Sequence, residues 1–164
     1  AIVGLQEAQR AWRRKWLAPA LFVLSMLTPV MLLTSMTVAV PSHPNQLYWT
    51  AEERAALDWI SENTSPDALI LTGPDTGASI PAFTGRRVLF GHDFETANAV
   101  QEKAAVIGAF NSAVDMGAFI EARGVDYVLV GPREHKLGNW TVPRNLTVVF
   151  TQGIVTIYQV EESP

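Results

Sequence analysis

The feature that most constrains the fold of this chain is a run of 25 residues, Trp16–Val40, that contains no charged side chain. Charged residues make up 17% of the sequence, whereas about a quarter is usual in soluble proteins, and this run accounts for the shortfall. At about 1.5 Å per residue, a helix of this length exceeds the roughly 30 Å hydrocarbon core of a bilayer. The run therefore predicts a transmembrane helix over residues 16–40.

The charges on the two sides of the run differ in sign. Residues 1–15 carry a net charge of +3 and residues 41–164 carry −7, which together make the formal net charge of −4. Because basic residues beside a membrane helix favour the cytoplasm, Arg13–Lys15 predicts an integral plasma-membrane protein with a cytoplasmic amino-terminal side. Residues 41–47 would then be a linker and residues 48–164 an extracytoplasmic domain. The acidic outer domain argues against a nucleic-acid partner, since phosphate binding needs a basic face.

The start of the sequence points to further membrane segments. The chain begins with Ala1 rather than methionine, and Ala1–Leu5 is apolar like the tail of an earlier helix. We therefore expect upstream sequence that contributes more membrane helices. A cleaved signal peptide is the competing interpretation, with Thr37-Val38-Ala39 as its cleavage site. The apolar region of a signal peptide is usually about 7–15 residues long, so the longer run favours a retained membrane helix.

Three helices are predicted in the outer domain. A capping box at Thr50 and Glu53 opens the first. The second runs from about Phe94 to Phe110, with Asp93 as its N-cap, and the third covers Asp115–Arg123. Helical spacing places four apolar residues on the buried face of the second helix: Val100, Ala104, Ile107 and Phe110.

The strands of the outer domain are predicted from short apolar segments bounded by turn residues. Three such segments lie at residues 68–72, 87–90 and 127–130. Two alternating segments, 146–151 and 154–160, flank a Gln-Gly turn and predict a β-hairpin. Strands that alternate with helices favour parallel pairing in the first part of the sheet. The sequence thus predicts an α/β fold, in which one transmembrane helix precedes a mixed-sheet α/β sandwich with a C-terminal β-hairpin.

Candidate binding residues gather near the second predicted strand. The densest polar segment, Gly91–Thr96, lies at a strand-to-helix junction, and potential cations surround it in a domain that is otherwise acidic. We predict five residues of this region as substrate-binding candidates: Arg86, Arg87, His92, Glu95 and Lys103. No Ser-His-Asp order or paired-carboxylate spacing stands out, so the sequence nominates no catalytic residue.

Other interpretations of this region stay open. His92 and Glu95 could bind a metal ion, but a catalytic zinc site needs a third protein ligand, and none is evident in the sequence. The cations could instead form surface ion pairs with Glu95 or Glu102. The preceding segment Gly73–Gly77 follows a strand but lacks the spacing of a phosphate loop, and it predicts a plain turn.

A motif in the same region resembles a known family. It consists of Ile80–Val88, with Gly91-His92, Glu95-Thr96 and Lys103 after it and Tyr127–Pro132 on the third strand. These residues resemble the carboxy-terminal extracytoplasmic domain of bacterial multi-pass membrane proteins of the GT-C glycosyltransferase type. The likeness covers Tyr48–Pro164 together with the preceding membrane helix.

The resemblance implies an enzyme that moves a sugar from a polyprenyl-phosphate carrier to an acceptor outside the membrane, often with a divalent metal. In that family the catalytic acid lies in an early loop between membrane helices, which this sequence does not contain. The catalytic acid and any divalent metal would therefore lie outside this sequence. The outer domain would pack on the membrane core, with Arg86, His92 and Lys103 as phosphate or sugar contacts. The implied partners are the lipid bilayer, the upstream helices and a lipid-linked sugar.

The alternative function is a membrane-anchored, non-enzymatic domain that binds a partner or ligand outside the cell. The number of hydrophobic spans upstream separates the two hypotheses. Many spans would favour the transferase, and none would favour the anchored binding domain.

Overall fold

The computed structural model of the protein describes residues 17–42 and 48–161. Residues 17–40 of the charge-free run lie in one long helix, α1 (Leu17–Ser42). The Pro19–Val38 part of α1 is long and apolar enough to cross a membrane, and none of it is buried within the protein. The predicted helix is confirmed, although it continues through Pro41, whose fixed φ is compatible with a helix. The predictions for residues 1–16 and for residues 43–47 fall outside the described residues.

Hydroxyl side chains within α1 bond to the backbone of the helix itself. Ser25 donates to the Phe22 carbonyl at 2.8 Å, and Thr34 donates to the Val30 carbonyl at 2.8 Å. Ser35 and Thr37 do the same three or four residues back along the helix. Since an unsatisfied polar group is costly in hydrocarbon, these bonds make the four hydroxyls compatible with lipid.

The second compact unit of the chain, Tyr48–Pro164, is called the globular unit below. It contains one five-stranded sheet in the order β2-β1-β3-β5-β4. The strands are β1 (Leu69–Leu71), β2 (Arg87–Val88), β3 (Tyr127–Val130), β4 (Leu146–Gln152) and β5 (Val155–Val160). Strand β1 pairs in parallel with β2 and β3, whereas β5 is antiparallel to β3 and β4. The predicted mixed sheet with a C-terminal hairpin is therefore confirmed.

Helices cover both faces of this sheet. They are α2 (Ala51–Asn63), α3 (Pro74–Gly77), α4 (Ile80–Thr84), α5 (Ala99–Phe110) and α6 (Met116–Arg123), followed by a 3-10 helix at Glu134–Lys136. One core cluster joins α2 and α4 to the sheet through Leu57, Ile60 and Ile80. The other joins α5 and α6 to it through Phe110 and Ile120. The result is a sandwich of helices around a central sheet.

The predicted ends of α2 and α6 agree with the structure. The Thr50 hydroxyl accepts from the Glu53 N–H, and the Glu53 carboxylate accepts from the Thr50 N–H, so the capping box is formed. Asp115 caps α6 by accepting from the Ala118 N–H at 2.7 Å. Gly124 follows α6 in the left-handed conformation, with φ of 61°, which glycine adopts without steric cost.

The prediction for α5 is wrong at its beginning and for part of its buried face, although Phe110 is buried as predicted. The helix begins at Ala99 rather than near Phe94, because Asn98 has a left-handed φ of 53° that cannot continue a helix. Asp93 therefore does not cap it. Val100 is 79% exposed and Ala104 is also exposed, while the buried residues are Val106, Gly108, Ala109 and Phe110. The observed face is turned from the predicted one by about one residue, or roughly 100°.

Candidate functional site

The chain reverses its course across the sheet between β1 and β3. The helices that follow β1 lie on one face and those that lead to β3 lie on the other. In parallel α/β sheets, ligands bind in the crevice outside the carboxyl ends of the strands at such a point. We call this end of the sheet the carboxyl edge, and the segments that follow β1, β2 and β3 all lie there.

The crevice at the carboxyl edge is filled by a side chain of the protein itself. Glu134, in the segment after β3, is only 1% exposed. Its Oε1 atom accepts hydrogen bonds from three donors: the Thr72 hydroxyl at 2.9 Å, the Gly73 N–H at 3.0 Å and the Thr76 hydroxyl at 2.6 Å. Its Oε2 atom accepts from the Gly131 N–H at 2.8 Å. The donors that could cradle the anion of a ligand thus hold a carboxylate of the chain.

The segment Gly73–Gly77 is shaped by this contact. We predicted a plain turn there, and the structure instead forms the short helix α3, with Pro74 in its first turn. A Cβ atom at Gly73 would lie 2.9 Å from Glu134 Oε1, so glycine permits the close approach of backbone and carboxylate. The segment therefore binds a carboxylate of the protein itself.

The residue before Glu134 holds the beginning of the globular unit. Arg133 is 7% exposed, and its Nε atom lies 3.1 Å from Glu53 Oε1 in a buried ion pair. Its Nη2 atom donates to the Tyr48 carbonyl at 3.2 Å, and its guanidinium lies 4.2 Å from the ring centre of Trp49. Arg133 and Glu134 therefore fasten α2 and the segment after β1 to the same turn.

Among the predicted binding residues, Arg86 is engaged by the protein. Its guanidinium donates to the Ser61 carbonyl at 2.7 Å, the Thr64 carbonyl at 2.8 Å and the Thr84 carbonyl at 2.9 Å. It also donates to the Thr64 hydroxyl at 3.0 Å. These carbonyls belong to the last turns of α2 and α4 and to the residue that follows α2, where helices leave acceptors unpaired. The geometry therefore gives Arg86 a structural role.

The other predicted residues lie on the surface: Arg87 is the first residue of β2, and the remaining three follow that strand in the chain. Lys103 Nζ lies 3.2 Å from an Asp93 carboxylate oxygen and 5.5 Å from the ring centre of Phe90. His92 is exposed, and its Nδ1 atom accepts from the Phe94 N–H at 3.3 Å. Arg87 and Glu95 are exposed as well. Within the described residues, these contacts do not join all five candidates into one constellation, and no group of three or more metal-binding side chains occurs there.

Glu53, Arg133 and Glu134 were not predicted to form a connected site. Isolated acidic and basic residues are mostly exposed in folded proteins, and nothing in their spacing links positions 53 and 133. The available signal was the Gly131-Pro132 turn at the end of a fully apolar strand, directly before two charged residues. A charged pair at the carboxyl edge of a buried parallel strand is a candidate for a buried role.

The fold has a counterpart among solved structures, although no family model and no curated protein matches the sequence. The structure is similar to the C-terminal globular domain of an oligosaccharyltransferase from Archaeoglobus fulgidus, with a TM-score of 0.51 and 16% sequence identity. The match covers 70% of this chain and 99% of that domain. At this identity the similarity shows the fold alone. The predicted likeness to the carboxy-terminal domain of a glycosyltransferase is confirmed at that level.

Proposed function

We propose that this chain is the last membrane helix and outer domain of a GT-C-type glycosyltransferase, of the bacterial multi-pass kind that the motif resembles. The proposal rests chiefly on one observation: the globular unit has the fold of an oligosaccharyltransferase C-terminal domain. The unburied apolar helix α1, with its internally bonded hydroxyls, supports a membrane location. The globular unit would pack on membrane helices of the same protein and help to bind a lipid-linked sugar or its acceptor.

The predicted residues that lie on the surface are the candidates for this contact. His92 and Arg87 are exposed, so both can reach a partner. Lys103 can exchange its partner Asp93 for a phosphate, because their ion pair is largely exposed, with side-chain exposures of 42% and 57%. Exposed Glu95 could accept from sugar hydroxyls. Arg86 contributes indirectly by holding α2 and α4 in place.

The orientation in the membrane is predicted first. These 164 residues contain no cysteine, so single cysteines can report accessibility in the full-length protein freed of any others. Glu62→Cys, on the exposed side of α2, should react with a membrane-impermeant maleimide in intact cells. Ala8→Cys should react only after permeabilisation, because the basic residues that follow it favour the cytoplasm. Labelling of both in intact cells, or of Ala8→Cys alone, would contradict the proposal.

Sugar transfer is the second prediction. The variant Arg87→Ala/His92→Ala/Lys103→Ala of the full-length protein should transfer sugar from a polyprenyl-phosphate donor at least about tenfold more slowly in proteoliposomes. Hydrogen bonds from charged groups contribute about 1.5–3 kcal/mol each, enough for this loss. The matched control is Arg123→Ala, another exposed cation in an ion pair, with Glu102 at 2.6 Å.

The outcomes separate the two functions. Equal rates for the triple variant and Arg123→Ala would reduce the three residues to surface positions. A full-length protein without transfer activity on any such donor, and without further upstream membrane spans, would establish the anchored binding domain instead.

A further inference from the structure

A cavity beside the carboxyl edge has a lining suited to a ligand. It has a volume of about 380 Å³ and lies between the end of β3, the start of β5 and the segment after the 3-10 helix. Four polar side chains and one tryptophan of its lining carry the inference: His135, Asn139, Trp140, Thr156 and Tyr158. Small-molecule sites usually occupy about 300–1,000 Å³, so this cavity fits one or two small rings.

The aromatic wall of the cavity is Trp140. Its ring centre lies 5.9 Å from that of Phe110 and 5.8 Å from that of Tyr158, with interplanar angles of 82° and 85°. Both contacts are perpendicular, so no ring lies flat against the indole in the described part of the chain. The indole is thus fixed from two sides and half-buried, and it offers apolar surface to a flat ligand.

The polar side chains of the cavity are unengaged. Within residues 17–42 and 48–161, the side chains of His135, Asn139, Thr156 and Tyr158 make no hydrogen bond to another described residue. Each of these groups can both donate and accept when the imidazole is neutral. No Asp, Glu, Lys or Arg lines the cavity. A phosphate or carboxylate ligand would call for Arg or Lys, so the lining favours a neutral ligand rich in hydroxyl groups.

The segment that carries Asn139 and Trp140 is held against the end of α5. The Ser112 hydroxyl donates to the Asn139 carbonyl at 2.7 Å. A Cβ atom at Gly138 would lie 2.7 Å from the Cα of Asn111, so the backbones approach as closely as glycine allows. This wall of the cavity is therefore ordered before a ligand arrives, which lowers the entropic cost of binding.

We propose that this cavity binds a neutral sugar ring, which stacks an apolar ring face on Trp140 and shares its hydroxyls with Thr156, Tyr158, Asn139 and His135. The inference rests on the proposed function, because it names a sugar of the donor or acceptor as the ligand of the globular unit. Its chemical basis is separate, since a sugar ring combines an apolar face with hydroxyls that both donate and accept.

The test measures binding without any transfer reaction. The chain Ala1–Pro164 in a zwitterionic detergent without sugar groups is mixed with the methyl α-glycosides of glucose, mannose, galactose and N-acetylglucosamine. Saturation-transfer difference NMR should show binding of at least one glycoside. Tyr158→Phe and Thr156→Val each remove one hydroxyl and keep the shape of the core, and each should weaken binding about threefold to tenfold.

Matched controls come from the same sheet. Tyr127→Phe removes the same phenolic hydroxyl where Tyr127 packs on Trp59, in the other core cluster. Thr151 is the cross-strand partner of Thr156, but it is exposed and does not line the cavity. Thr151→Val is therefore the control for Thr156→Val. Both controls should bind like the unchanged chain, and urea unfolding confirms that all four variants fold.

The result that overturns the inference is equally direct. It fails if none of the four glycosides shows saturation transfer, or if Tyr158→Phe and Thr156→Val bind like their controls. Because no donor lipid enters the assay, this failure leaves the transfer result untouched. Conversely, a full-length protein that does not transfer sugar can still show cavity binding.

Discussion

Glu134→Ala is expected to destabilise the globular unit by about 4 kcal/mol, because it leaves buried hydrogen-bond donors without an acceptor and creates a cavity. The Thr72 and Thr76 hydroxyls can rotate toward other acceptors, but the Gly73 and Gly131 N–H groups cannot. Each of these two buried donors, now 3.0 Å and 2.8 Å from a carboxylate oxygen, would cost about 1–3 kcal/mol without a partner. The loss of packing around a fully buried side chain adds the remainder.

Glu134→Gln separates charge from shape. Its amide oxygen can replace Oε1 and retain three hydrogen bonds, but its NH₂ group would then face the Gly131 N–H, a second donor. We expect the free energy of unfolding to fall by about 2 kcal/mol, which is less than the loss for Glu134→Ala. Urea unfolding of the chain in detergent, followed by tryptophan fluorescence, measures both variants. The control is Glu62→Ala, at an exposed glutamate on α2, which should change the free energy of unfolding by no more than about 0.5 kcal/mol. If the Glu134 variants lose as little stability as this control, the buried role of Glu134 is refuted.

Arg133→Met should destabilise the globular unit by a similar amount, about 3–5 kcal/mol, because it leaves the Glu53 carboxylate buried without its cation. The pair is 7% exposed at both residues, with 3.1 Å between Arg133 Nε and Glu53 Oε1. The same substitution removes the donor to the Tyr48 carbonyl and the contact with Trp49. The beginning of the globular unit should therefore loosen as well.

The double variant Arg133→Met/Glu53→Gln tests whether the unpaired charge of Glu53 causes the loss of stability in Arg133→Met. Glutamine at position 53 preserves the capping box with Thr50 while removing the charge. The double variant should be more stable than the sum of the two single losses predicts, by at least about 2 kcal/mol. Arg54→Ala serves as the control, since the Arg54–Asp58 pair is 3.5 Å apart with side-chain exposures of 58% and 62%, and should cost less than about 1 kcal/mol. Strict additivity in the cycle would show that the charges act independently.

The filled crevice bears on where this fold binds its ligands. Doubly wound sheets bind ligands at the position that Glu134 occupies here. With that position closed by four hydrogen bonds, surfaces for substrate move to the flanks of the carboxyl edge. On one flank lie His92 and Lys103, and on the other lies the cavity with Trp140.

Sequence patterns predicted correctly those elements whose structure depends on neighbouring residues in the chain. The helix α1 follows from the absence of charge over Trp16–Val40, and the capping box at Thr50 and Glu53 marks the beginning of α2. The parallel strand Tyr127–Val130 follows from an unbroken apolar segment between turn residues. Each of these signals lies within one element, so it can be recognised without knowing what packs against it.

The predictions failed where one backbone conformation or one distant contact decided the outcome. The start of α5 depends on the left-handed Asn98, which no periodicity reveals. Arg86 was predicted to face a ligand, and the structure directs its guanidinium to carbonyls in the last turns of α2 and α4. Both outcomes depend on tertiary packing rather than on residue type.

By itself, the sequence determined the apolar helix, the α/β class and the positions of the strands along the chain, because the periodic pattern of apolar residues is a local property of the chain. Only the tertiary structure decided that Glu53, Arg133 and Glu134 form the buried polar centre, and that Trp140 and Tyr158 share a cavity. Charged and aromatic side chains are placed by partners that lie up to 85 residues away in the chain. Their roles follow from how the sheet brings those partners together.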